Sequence, residues 1–281
     1  MGKRKKNKAL VKQEVEPLRK GLTTEWYYLL KYIAIITMLI EHTVFIIGAR
    51  SEVLLVGKMI GRVAFPLFAY LLVESFYFTK KRGKKALSLF ILAIISELPF
   101  DFATSVLTPD NISTDAFLVQ NVIFTLLLGF LMLWVKEFKW DKIFERAGFK
   151  KPNRFFNFGF SVAVGGVFAF LAYLLRTDYS WRGICLISFF DLARRVKRRN
   201  LLQAFSLLYF VTTASNYLLS SKVAYINTTS FIALILIYFA QSGKINFKER
   251  KVLVNKFTKT FGKWFYPLHL FILSIIKLII S

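Results

Sequence analysis

Histidine is scarce in this chain of 281 residues. It holds two, His42 and His269, and both fall in apolar runs beside charges that a bilayer tolerates poorly. The first run, LLKYIAIITMLIEHTVFIIG (residues 29–48), carries Lys31, Glu41 and His42. An ionisable group at the centre of a membrane helix costs ~2.5–3.5 kcal/mol on insertion scales, so each needs a partner or a purpose. The second run, GRVAFPLFAYLLVESF, adds Arg62 and Glu74. The third, ISELPFD, adds Glu97 and Asp101, which stack on one helix face, with Pro99 between them to kink it. Lys31 and His42 are close to three helical turns apart, so they share a face about 16 Å apart along the axis, while Glu41 points about 100° away.

These residue types suit acyl transfer. A histidine serves as general base, carboxylates orient its ring, and cations hold an anionic donor. On that reading His42 is the base, with Glu41, Glu97 and Asp101 around it, and Arg62 is predicted to pair with Glu97 or Asp101 at matching depth. Lys31 and Arg62 are the donor-binding cations. Glu74, His269, and Asp178 with Arg182 in RTDYSWRG (residues 176–183) are the substrate-side candidates. Plainer readings stand beside these. Lys31 can snorkel to the headgroups, Arg62 and a carboxylate can be a packing pair, His42 can be a satisfied core histidine, and His269 can serve packing near the cytoplasmic end. No HExxH, CxxC, phosphate-cradling glycine loop or GxSxG elbow is present, so no metal site is expected.

The elements that carry these residues are transmembrane helices. With 56% hydrophobic and 17% aromatic residues, the composition is too apolar for a soluble domain of this length. The predicted fold is all-α, a polytopic bundle of about nine spans near 27–49, 54–78, 86–107, 117–135, 156–176, 180–193, 201–220, 223–240 and 262–280. The sixth is short enough to be a half-span. Thirty-two Lys/Arg fall in alternate loops and three (Arg50, Arg176, Lys222) in the others, which predicts a cytoplasmic amino terminus and an external carboxy terminus. Residues 1–25 read as a basic cytoplasmic tail and 26–281 as one membrane domain. The net charge of +24 therefore belongs to topology, and no nucleic-acid partner is expected. Ser161, Gly165 and Ala169 read as a close-packing stripe, Asn121 and Thr125 as one face of the fourth span, and Asn216 as an interhelical hydrogen-bond partner. The lone Cys185 excludes an internal disulfide.

Five strings carry a resemblance: LKYIAIITMLIEHTVF, GRVAFPLFAYLLVESFYFTKKRGKKALSLFILAIISELPFD, NVIFTLLLG, TDYSWRG and WFYPLHL. From Leu30 to the carboxy terminus the chain resembles the TraX family of membrane proteins, named for a conjugative-pilus protein that acetylates pilin. The family's usual Asp-His pair is Glu41-His42 here, and Val44 or Phe45 stands where a Gly follows it. Lys31 and His42 also resemble the Arg/Lys-x10-His pattern of the wider transmembrane acyltransferases. These resemblances imply a helical fold with no soluble catalytic domain in a bacterial cell membrane. They further imply acetyl-CoA as cosubstrate, and a secreted peptide, glycan or lipid headgroup as acceptor. A membrane scaffold of a conjugation or secretion apparatus, or a transporter, remains the alternative.

Overall fold

The computed structural model describes residues 22–48, 50–104, 107–108, 111–112, 119–138, 140–148, 153–195, 229–242 and 256–280. The basic tail and the span expected at 201–220, with Asn216, lie outside these residues. The architecture is helical: α1 (Thr24–Ile46), α2 (Ser51–Gly61), α3 (Ala64–Phe78), α4 (Arg82–Thr104), α5 (Val122–Lys136), α6 (Trp140–Arg146), α7 (Arg154–Leu174), α8 (Ser180–Arg195), α9 (Phe231–Ser242) and α10 (Lys256–Ile280). A two-residue antiparallel ladder, Leu107–Thr108 against Asn111–Ile112, follows α4. Among the described residues, five helical segments are long and apolar enough to cross a bilayer: Thr24–Ile46, Ser51–Phe78, Arg82–Ala103, Phe155–Leu174 and Gly262–Ile280. Helices α5 and α9 are shorter but equally apolar.

Helix α3 lies at the centre of the bundle and is buried on nearly every side. Around it pack α1, α5, α8 and α9, while α4 is held between α5 and α10. By contrast α7 presents Phe158, Val162, Val167 and Phe170 outward, as a helix facing lipid would. The short run at 180–193 forms a continuous 16-residue helix, α8, packed on α3, α5 and α7. Gly165 of the predicted small-residue stripe faces Ser188 of α8.

Two departures from the expected spans shape the site. The second span is broken at Arg62 and Val63, between α2 and α3. Pro66, one turn on, has no N–H to give the Arg62 carbonyl, which accepts instead from the Ser230 hydroxyl at 3.2 Å. Helix α5 starts at Val122 rather than near 117, because Asn121 caps it: its side-chain oxygen accepts from Ile123 N–H at 3.0 Å.

Candidate functional site

Helix α2 folds back on α1 at very short range. A Cβ at Gly57 would stand 2.9 Å from the Val44 Cβ, and one at Gly61 would overlap the Glu41 carboxylate. This small-x3-small spacing (GKMIG) brings the chain's turn at Arg62 directly over Glu41. The result is an ion pair, Arg62 Nη1 to Glu41 Oε1 at 3.8 Å. Arg62 therefore does not pair with Glu97 or Asp101, contrary to expectation, because the α2–α3 break turns it toward α1. Its other neighbours come from the turn after α7. Tyr179 hydrogen-bonds Arg62 and stacks on Phe65 at 3.6 Å between ring centroids.

That turn is strained, with Arg176 at φ 49° and Ser180 at φ 47°. It is pinned by Gln120, whose N–H donates to Arg176 O (3.1 Å) and whose carbonyl accepts from Asp178 N–H (2.8 Å). Asp178 is exposed as a residue. Its carboxyl nevertheless faces inward, within electrostatic reach of Arg62, Glu41 and the buried Tyr266. That enclosure pushes the carboxyl up to about 6, and the Arg62 charge offsets part of the rise. Asp178 thus meets Arg62, not Arg182, whose guanidinium sits 5.5 Å from the centre of the Trp181 ring.

His42 has a different partner from any carboxylate. Its Nδ1 lies 2.8 Å from Nε2 of His269, which α10 brings to the same depth. The two rings are nearly coplanar, 4° apart, with centroids separated by 5.1 Å. His269 is buried and its Nδ1 lies 2.8 Å from the Phe265 carbonyl, one turn back on its own helix. His269 is thus at the heart of the bundle, not near its end. Tyr266 stands edge-on to both rings. Glu97, expected beside His42, instead accepts from Asn121, through the main-chain N–H at 3.3 Å and the side-chain amide. Asp101, one turn on, is buried on the same helix. Glu97 thus fastens the start of α5 rather than the histidine ring.

A cavity of about 310 Å³ opens within a turn of the histidine pair, reaching Met38 and Tyr266 without being lined by either imidazole. Tyr27, Lys31, Ile35 and Met38 supply one wall, the α1 stripe that continues to His42. Leu71 and Leu72 of α3, Leu89 and Leu92 of α4, and Phe265 and Tyr266 of α10 supply the others. Three lysines stand at its mouth: Lys31, Lys85 and Lys263. Lys85 lies within electrostatic reach of each of the other two. Lys31 is half-buried, in room left by the missing side chain of Gly262. Among the described residues, no carboxylate lies within 4 Å of any of the three. Three like charges at one opening give a local positive potential that favours an anion. Lys85 and Lys263 belong to basic blocks (KKRGKK, FGKW) that the sequence marks as cytosolic topology signals without singling out either lysine. Arg62 takes no part in this mouth.

Glu74 lies elsewhere again. It is 3% exposed and accepts from Arg194 Nε at 3.2 Å. Arg194 stacks over Tyr77, which donates to Asp191, and Arg195 ties Asp191 to Glu137. This network clamps the end of α8 to α3 and α5, so Glu74 is a fastening residue rather than a substrate contact. No group of three or more His, Cys, Asp or Glu among the described residues has metal-ligand spacing.

The arrangement is thus a largely apolar cavity lined at one end by three lysines and reaching Met38 and Tyr266, within a turn of the His42–His269 pair, with a second charged cluster around Arg62. No curated protein and no solved structure matches the chain. A family model does, described as TraX protein, over residues 27–277, and on that match across most of its length the chain belongs to the TraX family.

Proposed function

We propose that this membrane protein transfers an acetyl group from acetyl-CoA, entering at the lysine mouth, to an acceptor that reaches His42 from the Arg62 side. One observation carries the reading: a single cavity runs from Lys31, Lys85 and Lys263 up the α1 stripe toward the histidine pair. Cations at one end suit phosphates, and apolar walls suit the pantetheine arm. In the acetyl transfer, an acceptor hydroxyl or amine attacks the thioester carbonyl as His42 takes its proton. The new C–O or C–N bond forms, the C–S bond breaks, and the proton passes to the departing thiolate to give free CoA.

The basic mouth faces the cytosol on this reading, where acetyl-CoA is made, in the cytoplasmic membrane of a bacterium. The Glu41–Arg62–Asp178–Tyr179 cluster, on the far side, is the acceptor's approach and takes a polar secreted peptide, glycan or lipid headgroup. The test is label transfer from radioactive acetyl-CoA into non-CoA products in vesicles carrying the protein. A positioned general base contributes ~10²–10⁴-fold in rate, so His42→Ala lowers transfer by that factor while the protein stays folded and inserted. Undiminished transfer by folded His42→Ala protein overturns the mechanism.

A further inference from the structure

Resting on the transferase reading, we infer that His269 is a positioning residue that fixes which nitrogen of His42 acts as the base. The argument is one of donors and acceptors. The Phe265 carbonyl can only accept, so the 2.8 Å contact from His269 Nδ1 requires a proton on that nitrogen. A neutral His269 then has a bare Nε2, which can only accept. The 2.8 Å contact to His42 Nδ1 therefore requires the proton on His42 Nδ1. His42 Nε2 is left bare, and it is the nitrogen free to take a proton. The ring planes, 4° apart, suit this in-plane bond, and burial of His269 keeps water from competing for it.

The same chain of bonds acts when His42 becomes protonated. Its Nδ1–H bond to His269 Nε2 strengthens as the ring gains charge, so the partner stabilises the cation formed in the acetyl step. A buried main-chain carbonyl and a second imidazole here do the orienting work that a carboxylate does in many histidine sites.

Only two histidines occur in the chain, so ¹⁵N-histidine labelling reads these rings and nothing else. Solid-state ¹⁵N spectra of the full protein in bilayers should show both neutral rings protonated at Nδ1, the minority form in water. His269→Gln, whose amide oxygen can reach the place of Nε2 and accept, should keep His42 in that form. His269→Leu should release it to the mixture seen in water. In the vesicle assay His269→Gln should retain transfer within several-fold. His269→Leu should lose about 10²-fold in kcat, with the acetyl-CoA KM unchanged, since a base in the wrong tautomer costs up to ~10⁴-fold. A wild-type His42 carrying its proton on Nε2, or a His269→Leu protein with the Nδ1–H form intact, overturns this inference whatever the assay reads. The expected tautomer in a wild-type protein that transfers no acetyl group overturns the functional reading instead.

Discussion

Replacing Lys31 by Met should weaken donor binding and at the same time make the protein more stable. The two effects have separate origins. Lys31 is half-buried among apolar cavity walls, Lys85 is a like charge in electrostatic reach, and no carboxylate lies within 4 Å among the described residues. An ammonium in that setting is a standing cost, smaller than the ~2.5–3.5 kcal/mol of a mid-membrane lysine because it lies toward the helix end. Met keeps the length and apolar stem without the charge, so the unfolding midpoint should rise. For a bound phosphate, the bare Coulomb attraction at 4 Å is about 4 kcal/mol at an effective dielectric of 20, and desolvation removes part of it. A net ~1.5–3 kcal/mol for a charge-assisted hydrogen bond corresponds to about a 10- to 100-fold rise in Kd for acetyl-CoA. Lys85 and Lys263 are exposed, so each should matter less, within about 1 kcal/mol, and their share should vanish at high salt. Binding isotherms in nanodiscs at low and high salt, with thermal unfolding of the same samples, measure both effects. An unchanged Kd for Lys31→Met, or a larger loss from Lys263→Ala at high salt, would refute the assignment of Lys31 to the donor.

Four other outcomes follow from the packing. Gly61→Ala places a methyl group on top of the Glu41 side chain, its Cβ included, and should cost ~1–3 kcal/mol of stability by unfolding in detergent, with Gly57→Ala milder because the Val44 Cβ stands 2.9 Å off. Glu74→Ala removes the buried carboxylate that Arg194 Nε donates to and should lower stability, and the Glu74→Met, Arg194→Met double variant should recover part of that loss in a double-mutant cycle. The Asp178 carboxyl is raised from its ordinary 3.8 to about 6, so its contribution to stability is present below the ordinary value and lost as pH rises to 6; Asp178→Asn should flatten that window in pH-dependent unfolding. Compartment-sensitive reporters fused after residues 110 and 281 should both report an external location, and a cytoplasmic signal after 281 would remove one crossing from the predicted nine.

The amino-acid sequence by itself determined the solvent, the element type and the residues worth attention. Apolar runs of helical length cannot satisfy their backbone groups in lipid except as helices, so the α-helical membrane fold is legible without any contact. The eleven-residue spacing of Lys31 and His42 is likewise local, since helix geometry alone puts both on one stripe, whose Tyr27, Lys31, Ile35 and Met38 line the cavity. Partners are another matter. Glu41 and Arg62 were each visible, but their pairing depends on Gly57 and Gly61 letting α2 lie against α1, and on the break that Pro66 imposes at Arg62. Glu97 was legible as a buried acid, yet its bond to Asn121 follows from where α5 begins. His42 and His269 are separated by most of the chain, and no periodicity relates them. Only the docking of α10 beside α1 and α4 sets their nitrogens 2.8 Å apart. A pattern within one helix is fixed by bond geometry, whereas a contact between helices is fixed by which small residues and broken turns allow two backbones to approach, and that only the assembled bundle decides.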